Sequence, residues 1–63
     1  MLGFSMHFLV TRDPVGLWHW KLRMPDKRTI ANSGEDYSTR LACEDGIDLV
    51  RITNIGTPIR YTP

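Results

Sequence analysis

The chain has 63 residues, so it holds one domain at most, and a domain of this length buries only roughly 60% of its unfolded surface. Its composition, 41% hydrophobic with a net charge of +1, is that of a folded protein and excludes a strongly basic nucleic-acid binder. One cysteine and two widely spaced histidines exclude an intrachain disulfide and the usual four-ligand structural zinc site. A domain without such cross-links is predicted to associate with a second copy of itself.

The sequence predicts a cytoplasmic protein. It has no run of about 18 apolar residues, so no membrane span is expected. The opening MLGFSMHFLV lacks a basic region and a small-residue cleavage site, so we expect no signal peptide. A free cysteine fits a reducing compartment.

Charge is divided unevenly along the chain. Residues 1–34 hold five Lys/Arg against two Asp, a net of +3, and residues 35–63 hold three Arg against five Asp/Glu, a net of −2. This division is compatible with polyanion binding by the front half, with pairing of front and back between two copies, or with simple solvation.

The first predicted element is a strand over residues 6–12, rich in β-branched and aromatic side chains. Asp13-Pro14-Val15-Gly16 follows with the preferences of a type I turn, and Gly16 suits the left-handed end of a three-residue loop. That loop places Asp13 opposite Leu17 and predicts the cross-strand pairs Arg12–Trp18, Val10–Trp20, Phe8–Leu22 and Met6–Met24. A two-residue loop would oppose Trp20 to Leu9 and divide the apolar set between both faces.

The second predicted strand covers residues 17–24. Its inner face consists of Trp18, Trp20, Leu22 and Met24, and its outer face of Leu17, His19, Lys21 and Arg23. After a turn at residues 25–28, a short third strand is predicted over Thr29–Ser33, with small residues at Ala31 and Ser33 that would let a helix approach.

A helix is predicted over residues 39–53 with Ser38 as its N-cap. Its apolar stripe is Cys43, Ile47, Val50 and Asn54, with Ala42 and Leu49 beside it. Because Gly46 costs about 1 kcal/mol inside a helix, the alternative is a break there followed by a strand IDLVRIT. Asn54 and Gly56 are stop signals. The tail 57–63 is expected to be extended, frayed, or an arm laid on a partner.

These elements predict an α+β domain, β-β-β-α, with a three-stranded antiparallel sheet packed by one helix. The domain is expected over residues 6–56, with 1–5 as an extension and 57–63 as a tail. Such a sheet has two exposed edges, and pairing with a second copy would cover one of them. We therefore expect a homodimer.

The chain resembles the YegP-like family of small bacterial domains of uncharacterised function, over about residues 6–55. The resemblance rests on the ordered motifs F-x-V-x-x-D-x-x-G-x-W-x-W-x-L (from Phe8), I-A-x-S (from Ile30), Tyr37-Ser38 and G-I-x-x-V-R (from Gly46). It implies β-β-β-α units that pair as tandem repeats or, in single-repeat members, as a homodimer, and one continuous helix through Gly46. The family tends to have Asn-Gly where this chain has Asp26-Lys27, so the turn type stays open. The resemblance supplies no catalytic residue.

The sequence allows two interpretations of the tryptophans. In the first, Trp18 and Trp20 form the core beneath the helix, with Trp18 more exposed. In the second, they stack against nucleic-acid bases. The residues predicted to meet a partner or nucleic acid are the basic group His19, Lys21, Arg23, Lys27 and Arg28. The other reading of this group is a solvated outer face.

No metal site, cofactor or catalytic residue is predicted. His7 would oppose Arg23 and His19 would oppose Thr11, so the two histidines are not partners. Cys43 reads as a small buried hydrophobe. The preferred hypothesis is a non-enzymatic, dimeric binding or accessory module with no membrane partner. The alternatives are weak single-stranded nucleic-acid binding by the basic face and an enzyme whose site spans a dimer interface.

Overall fold

A computed structural model describes residues 5–62 of the chain. Its element order is β1 (His7–Arg12), β2 (Trp18–Arg23), β3 (Thr29–Asn32) and α1 (Arg40–Ile52). The strands form one antiparallel sheet in the order β1-β2-β3. The predicted β-β-β-α, α+β architecture is therefore confirmed. Of the predicted extension 1–5, all but Ser5 lies outside the described residues, as does Pro63 at the end of the tail.

The first hairpin has the predicted three-residue loop. The Asp13 N–H donates to the Leu17 carbonyl at 2.8 Å, and Gly16 closes the turn with a φ of 97°. Asp13 stabilises the loop further, because its Oδ1 accepts from the backbone N–H groups of Val15 and Leu17. The resulting register confirms the pairs Arg12–Trp18, Val10–Trp20 and Phe8–Leu22. The ladder ends at His7–Arg23, so the Met6–Met24 pair lies beyond it.

The second hairpin has the same three-residue loop geometry, but one of its residues is poorly suited to the backbone conformation that this loop requires. The Met24 N–H donates to the Arg28 carbonyl at 2.8 Å, and Lys27 stands in the position that Gly16 holds in the first loop. Lys27 has a φ of 71°, in the left-handed region that glycine or asparagine normally occupies. The turn type that the sequence left open is thus decided: Lys27 adopts the left-handed conformation.

The third strand pairs irregularly with β2. Leu22 lies opposite Ala31 and Arg23 opposite Thr29, so Ile30 is the extra residue of a β-bulge. β3 ends at Asn32, one residue before the predicted Ser33. After the loop 33–36 the chain returns to the sheet, where Tyr37 and Trp18 exchange two backbone hydrogen bonds of 2.7 Å. This isolated bridge fixes the approach to the helix.

The helix begins one residue later than predicted. Ser38 is not the N-cap; Thr39 is, since it has extended backbone angles and its Oγ1 accepts from the Ala42 N–H at 3.1 Å. The helix runs through Gly46 and ends at Ile52, so the alternative strand over IDLVRIT is wrong. Asn54, predicted on the apolar stripe, lies beyond the helix in an exposed turn that it closes with Thr57.

The core is small. Among the described residues only Trp20 (5% exposed), Cys43 (0%) and Ile47 (7%) are buried hydrophobics. Phe8, Val10, Trp18, Leu22, Ala31, Tyr37 and Val50 pack around them while remaining partly exposed. The ring of Phe8 meets Trp20 edge-on, with centroids 5.5 Å apart. The prediction that both tryptophans face the helix, Trp18 being the more exposed, is confirmed.

Candidate functional site

An open groove lies between β1 and the helix. The helix packs chiefly against β2, the middle strand, and leaves the inner face of β1 partly uncovered. Phe8, Val10 and Ile47 form the apolar floor of this groove, and the helix contributes a charged rim of Glu44, Asp48 and Arg51. The groove has a volume of about 420 Å³. Because β1 is an edge of the sheet, a polypeptide entering the groove would also meet unpaired backbone groups.

Large apolar side chains are exposed on the helix and on the segment that follows it. Leu41, Leu49 and Ile52 on the helix are each more than two-thirds exposed. Ile59 and Tyr61 in the tail are 78% and 88% exposed. Residues 58–62 carry no regular secondary structure. These exposed apolar side chains are available to contact another molecule.

The predicted basic group does not form one continuous surface. His19, Lys21 and Arg23 share the outer face of β2, as the alternation along the strand requires. Lys27 and Arg28 lie in the exposed turn beyond its far end. His19 lies about 13 Å from Arg23 at roughly 3.3 Å per strand residue, so it is separated from the turn. His19 is instead placed among acidic residues.

His19 is the centre of a small cluster that the sequence did not predict. Its Nδ1 lies 3.7 Å from Oδ1 of Asp36. Asp13 completes the group, and one donor atom from each of these three residues lies within 4.8 Å of the other two. Next to it, the loop 33–36 and β2 line a solvent-open hollow of about 240 Å³, whose lining includes His19, Lys21 and Asp36.

The cluster follows from two pairings. The first hairpin places Thr11 opposite His19 and brings Asp13 to the same face of the sheet. The Trp18–Tyr37 bridge then places Asp36 beside His19 on the other side. The first pairing was readable from the DPVG turn. The second is a tertiary contact between residues 19 positions apart, and no local signal in the sequence marks it. The predicted separation of His7 from His19 is confirmed, since His7 opposes Arg23.

Cys43 has no role at the surface. Its side chain is fully buried on the helix stripe, as predicted. Burial raises the pKa of its thiol above the ordinary value, and the neighbouring Glu44 carboxylate adds to this. A thiol in this state is a poor nucleophile, because the thiolate is the reactive form.

Within residues 5–62, no helix has the length and apolar character needed to cross a bilayer.

Relatives match most of the chain's length. Residues 13–59 match the family described as Domain of unknown function (DUF1508). Two UPF0339 proteins, from Neisseria meningitidis serogroups B and A, are each 31% identical over 55 residues, covering 87% of this chain and 96% of theirs. A solution structure of a protein from Haloferax volcanii has the same fold, with a TM-score of 0.81 at 24% identity, over 92% of this chain and 97% of that one. The resemblance to the YegP-like family is thereby confirmed, and the chain belongs to the family described as Domain of unknown function (DUF1508).

Proposed function

We propose that the chain is a non-enzymatic cytosolic module that acts in binding and is assembled as a homodimer. The observation that carries this proposal is the groove beside β1, where Phe8 and Val10 are left partly uncovered at an open edge of the sheet. The helix packs over the middle strand β2 and leaves the β1 side of the sheet's inner face partly uncovered. The uncovered side is the interface.

The small core supports assembly. Three buried hydrophobic side chains among residues 5–62 are few for an independently stable domain. Burying apolar surface stabilises by roughly 25 cal/mol per Å². Covering the partly exposed Phe8 and Val10 with a second copy would therefore add to the stability of each chain.

The tail supplies a segment suited to the groove. Ile59 and Tyr61 alternate with Arg60, so in an extended conformation their side chains project to one side. The tail of one copy, laid along β1 of the other, would bury these two side chains against Phe8 and Val10. Its backbone would pair with the free edge of β1. Of the three expectations for the tail, the arm on a partner is the one we propose.

Sedimentation velocity on the full chain tests this proposal. We expect a dimer at micromolar concentration and a shift to monomer in Ile59→Asp and Tyr61→Asp, whose side chains are exposed in the single chain and so are not needed for its fold. Val15→Asp is the matched control, because Val15 is 84% exposed in the first hairpin loop, outside the groove. It should leave the dimer intact. A wild-type chain that remains monomeric at hundreds of micromolar would contradict the proposal.

The burial of Cys43 favours a binding role over catalysis by this thiol. The thiol of Cys43 is buried with a raised pKa. Stacking of nucleic-acid bases on the tryptophans is disfavoured, since Trp20 is buried and the Arg12 guanidinium lies 5.8 Å from the centre of the Trp18 ring. The alternative of single-stranded nucleic-acid binding would then rest on the divided basic group alone.

A further inference from the structure

We propose that Asp13, His19 and Asp36 bind a divalent transition-metal ion, with Zn²⁺ as the best match. The three residues come from the end of β1, from β2 and from the loop before the helix, and they converge on one face of the sheet. The proposal is independent of the dimer, because the interface proposed above lies on the inner face.

The spacing of the donor atoms fits a shared ion better than a direct hydrogen bond. Nδ1 of His19 and Oδ1 of Asp36 are 3.7 Å apart, beyond the usual 2.7–3.2 Å of a hydrogen bond. Two ligands that each lie about 2.1 Å from one tetrahedral Zn²⁺ are separated by about 3.4 Å. The observed separation is close to that value, and the third donor lies within 4.8 Å of both.

The backbone holds the three residues in place. Asp13 is anchored through Oδ1, which accepts from the N–H groups of Val15 and Leu17, and its second oxygen remains to coordinate. His19 is in the middle strand. Asp36 directly precedes Tyr37, whose two 2.7 Å hydrogen bonds to Trp18 fix the loop against the sheet. A site built in this way loses little conformational freedom when the ion binds.

The donor set selects the class of ion. One neutral imidazole and two carboxylates bring a formal charge of −2, which balances a divalent cation. Imidazole favours zinc and related transition metals over Mg²⁺ and Ca²⁺, which prefer oxygen ligands. Three protein ligands leave a fourth position for water, and the adjoining hollow beside Lys21 and the loop 33–36 is open to solvent.

Isothermal titration of the untagged chain with zinc chloride tests the proposal. We expect one Zn²⁺ per chain, and a loss of affinity of about tenfold or more in both His19→Gln and Asp36→Asn. His7→Gln is the matched control, since His7 lies on the same face but opposite Arg23, and it should bind as the wild type does. Substitution with Co²⁺ should give a d–d spectrum without thiolate charge transfer, which distinguishes this site from coordination by Cys43.

Two results would overturn the proposal. One is the absence of binding by the wild-type chain at millimolar Zn²⁺. The other is an equal loss of affinity in the His7 and His19 variants, which would show that zinc binds surface imidazoles without the carboxylates. Circular dichroism of each variant confirms that the fold is retained, and the exposed Asp36 is the substitution that disturbs it least.

Discussion

The ring of Tyr37 occupies the space that a side chain at Gly46 would need. A Cβ at Gly46 would lie 2.9 Å from Cζ of Tyr37 and nearer still to its hydroxyl oxygen. Glycine is the poorest helix former after proline, yet this helix keeps one at its centre. The contact explains why: Gly46 lets the segment that bridges Trp18 pass close beneath the helix.

Gly46→Ala should therefore destabilise the chain in spite of the helix propensity of alanine. Overpacking usually costs about 1–3 kcal/mol and the propensity of alanine returns about 1 kcal/mol, so we expect a net loss of up to about 2 kcal/mol. Urea denaturation measures the difference. Tyr37→Ala removes the obstacle, so in that background Gly46→Ala should stabilise. A stabilising effect in the wild-type background would show that Tyr37 moves aside freely.

Lys27→Gly should stabilise the second hairpin. The left-handed conformation costs an L-residue roughly 1–2 kcal/mol. Glycine avoids this cost, but part of the gain is lost because glycine has more conformational freedom in the unfolded chain. We expect a net gain of up to about 1 kcal/mol in chemical denaturation. Lys27→Ala is the control, because it removes the charge and keeps the unfavourable φ of 71°. Equal effects of the two substitutions would assign the gain to charge.

Thr39→Ala should destabilise the helix and Ser38→Ala should not. The hydroxyl of Thr39 accepts from the Ala42 N–H, and loss of such a cap costs about 1 kcal/mol. Ser38 is adjacent and also exposed, which makes it a matched control for solvation and composition. Thermal unfolding followed by the circular dichroism signal of the helix compares the two. The reverse order of effects would restore Ser38 as the cap.

Cys43 should be unreactive in the folded chain and should make stability depend on pH. Burial, with a smaller contribution from Glu44, raises the pKa of the thiol above its ordinary value of 9.0. The unfolded thiol then loses its proton at a lower pH than the folded one, so its contribution to stability declines as pH rises through and above 9.0. Cys43→Ala should lack this decline when unfolding is compared at neutral and alkaline pH.

Labelling with a thiol reagent provides the second readout for Cys43. The wild-type chain should react slowly in buffer and rapidly in urea, since its side chain is fully buried. Fast labelling of the native chain would mean that the helix opens readily from the sheet.

Local chemistry in the sequence determined most of the fold. The DPVG turn and the alternation of apolar residues specify the register of the first hairpin, because a shift of one residue would turn Trp18 and Trp20 to the other face. The stripe through Cys43, Ile47 and Val50 specifies the helix, because spacings of four and three residues bring all three side chains to one side at a period of 3.6 but not at the period of 2 of a strand. These signals arise within a few residues and depend on little else.

Contacts between distant segments decided the rest. The choice of Thr39 over Ser38 as the cap, the place of Gly46 in the helix and the approach of Asp36 to His19 all accompany the return of the chain at the Trp18–Tyr37 bridge. That bridge joins residues on either side of β3, and its register is set by the bulge and loop between them. The periodicity and the turn preferences of the sequence do not predict this register, because it depends on the packing of the whole domain.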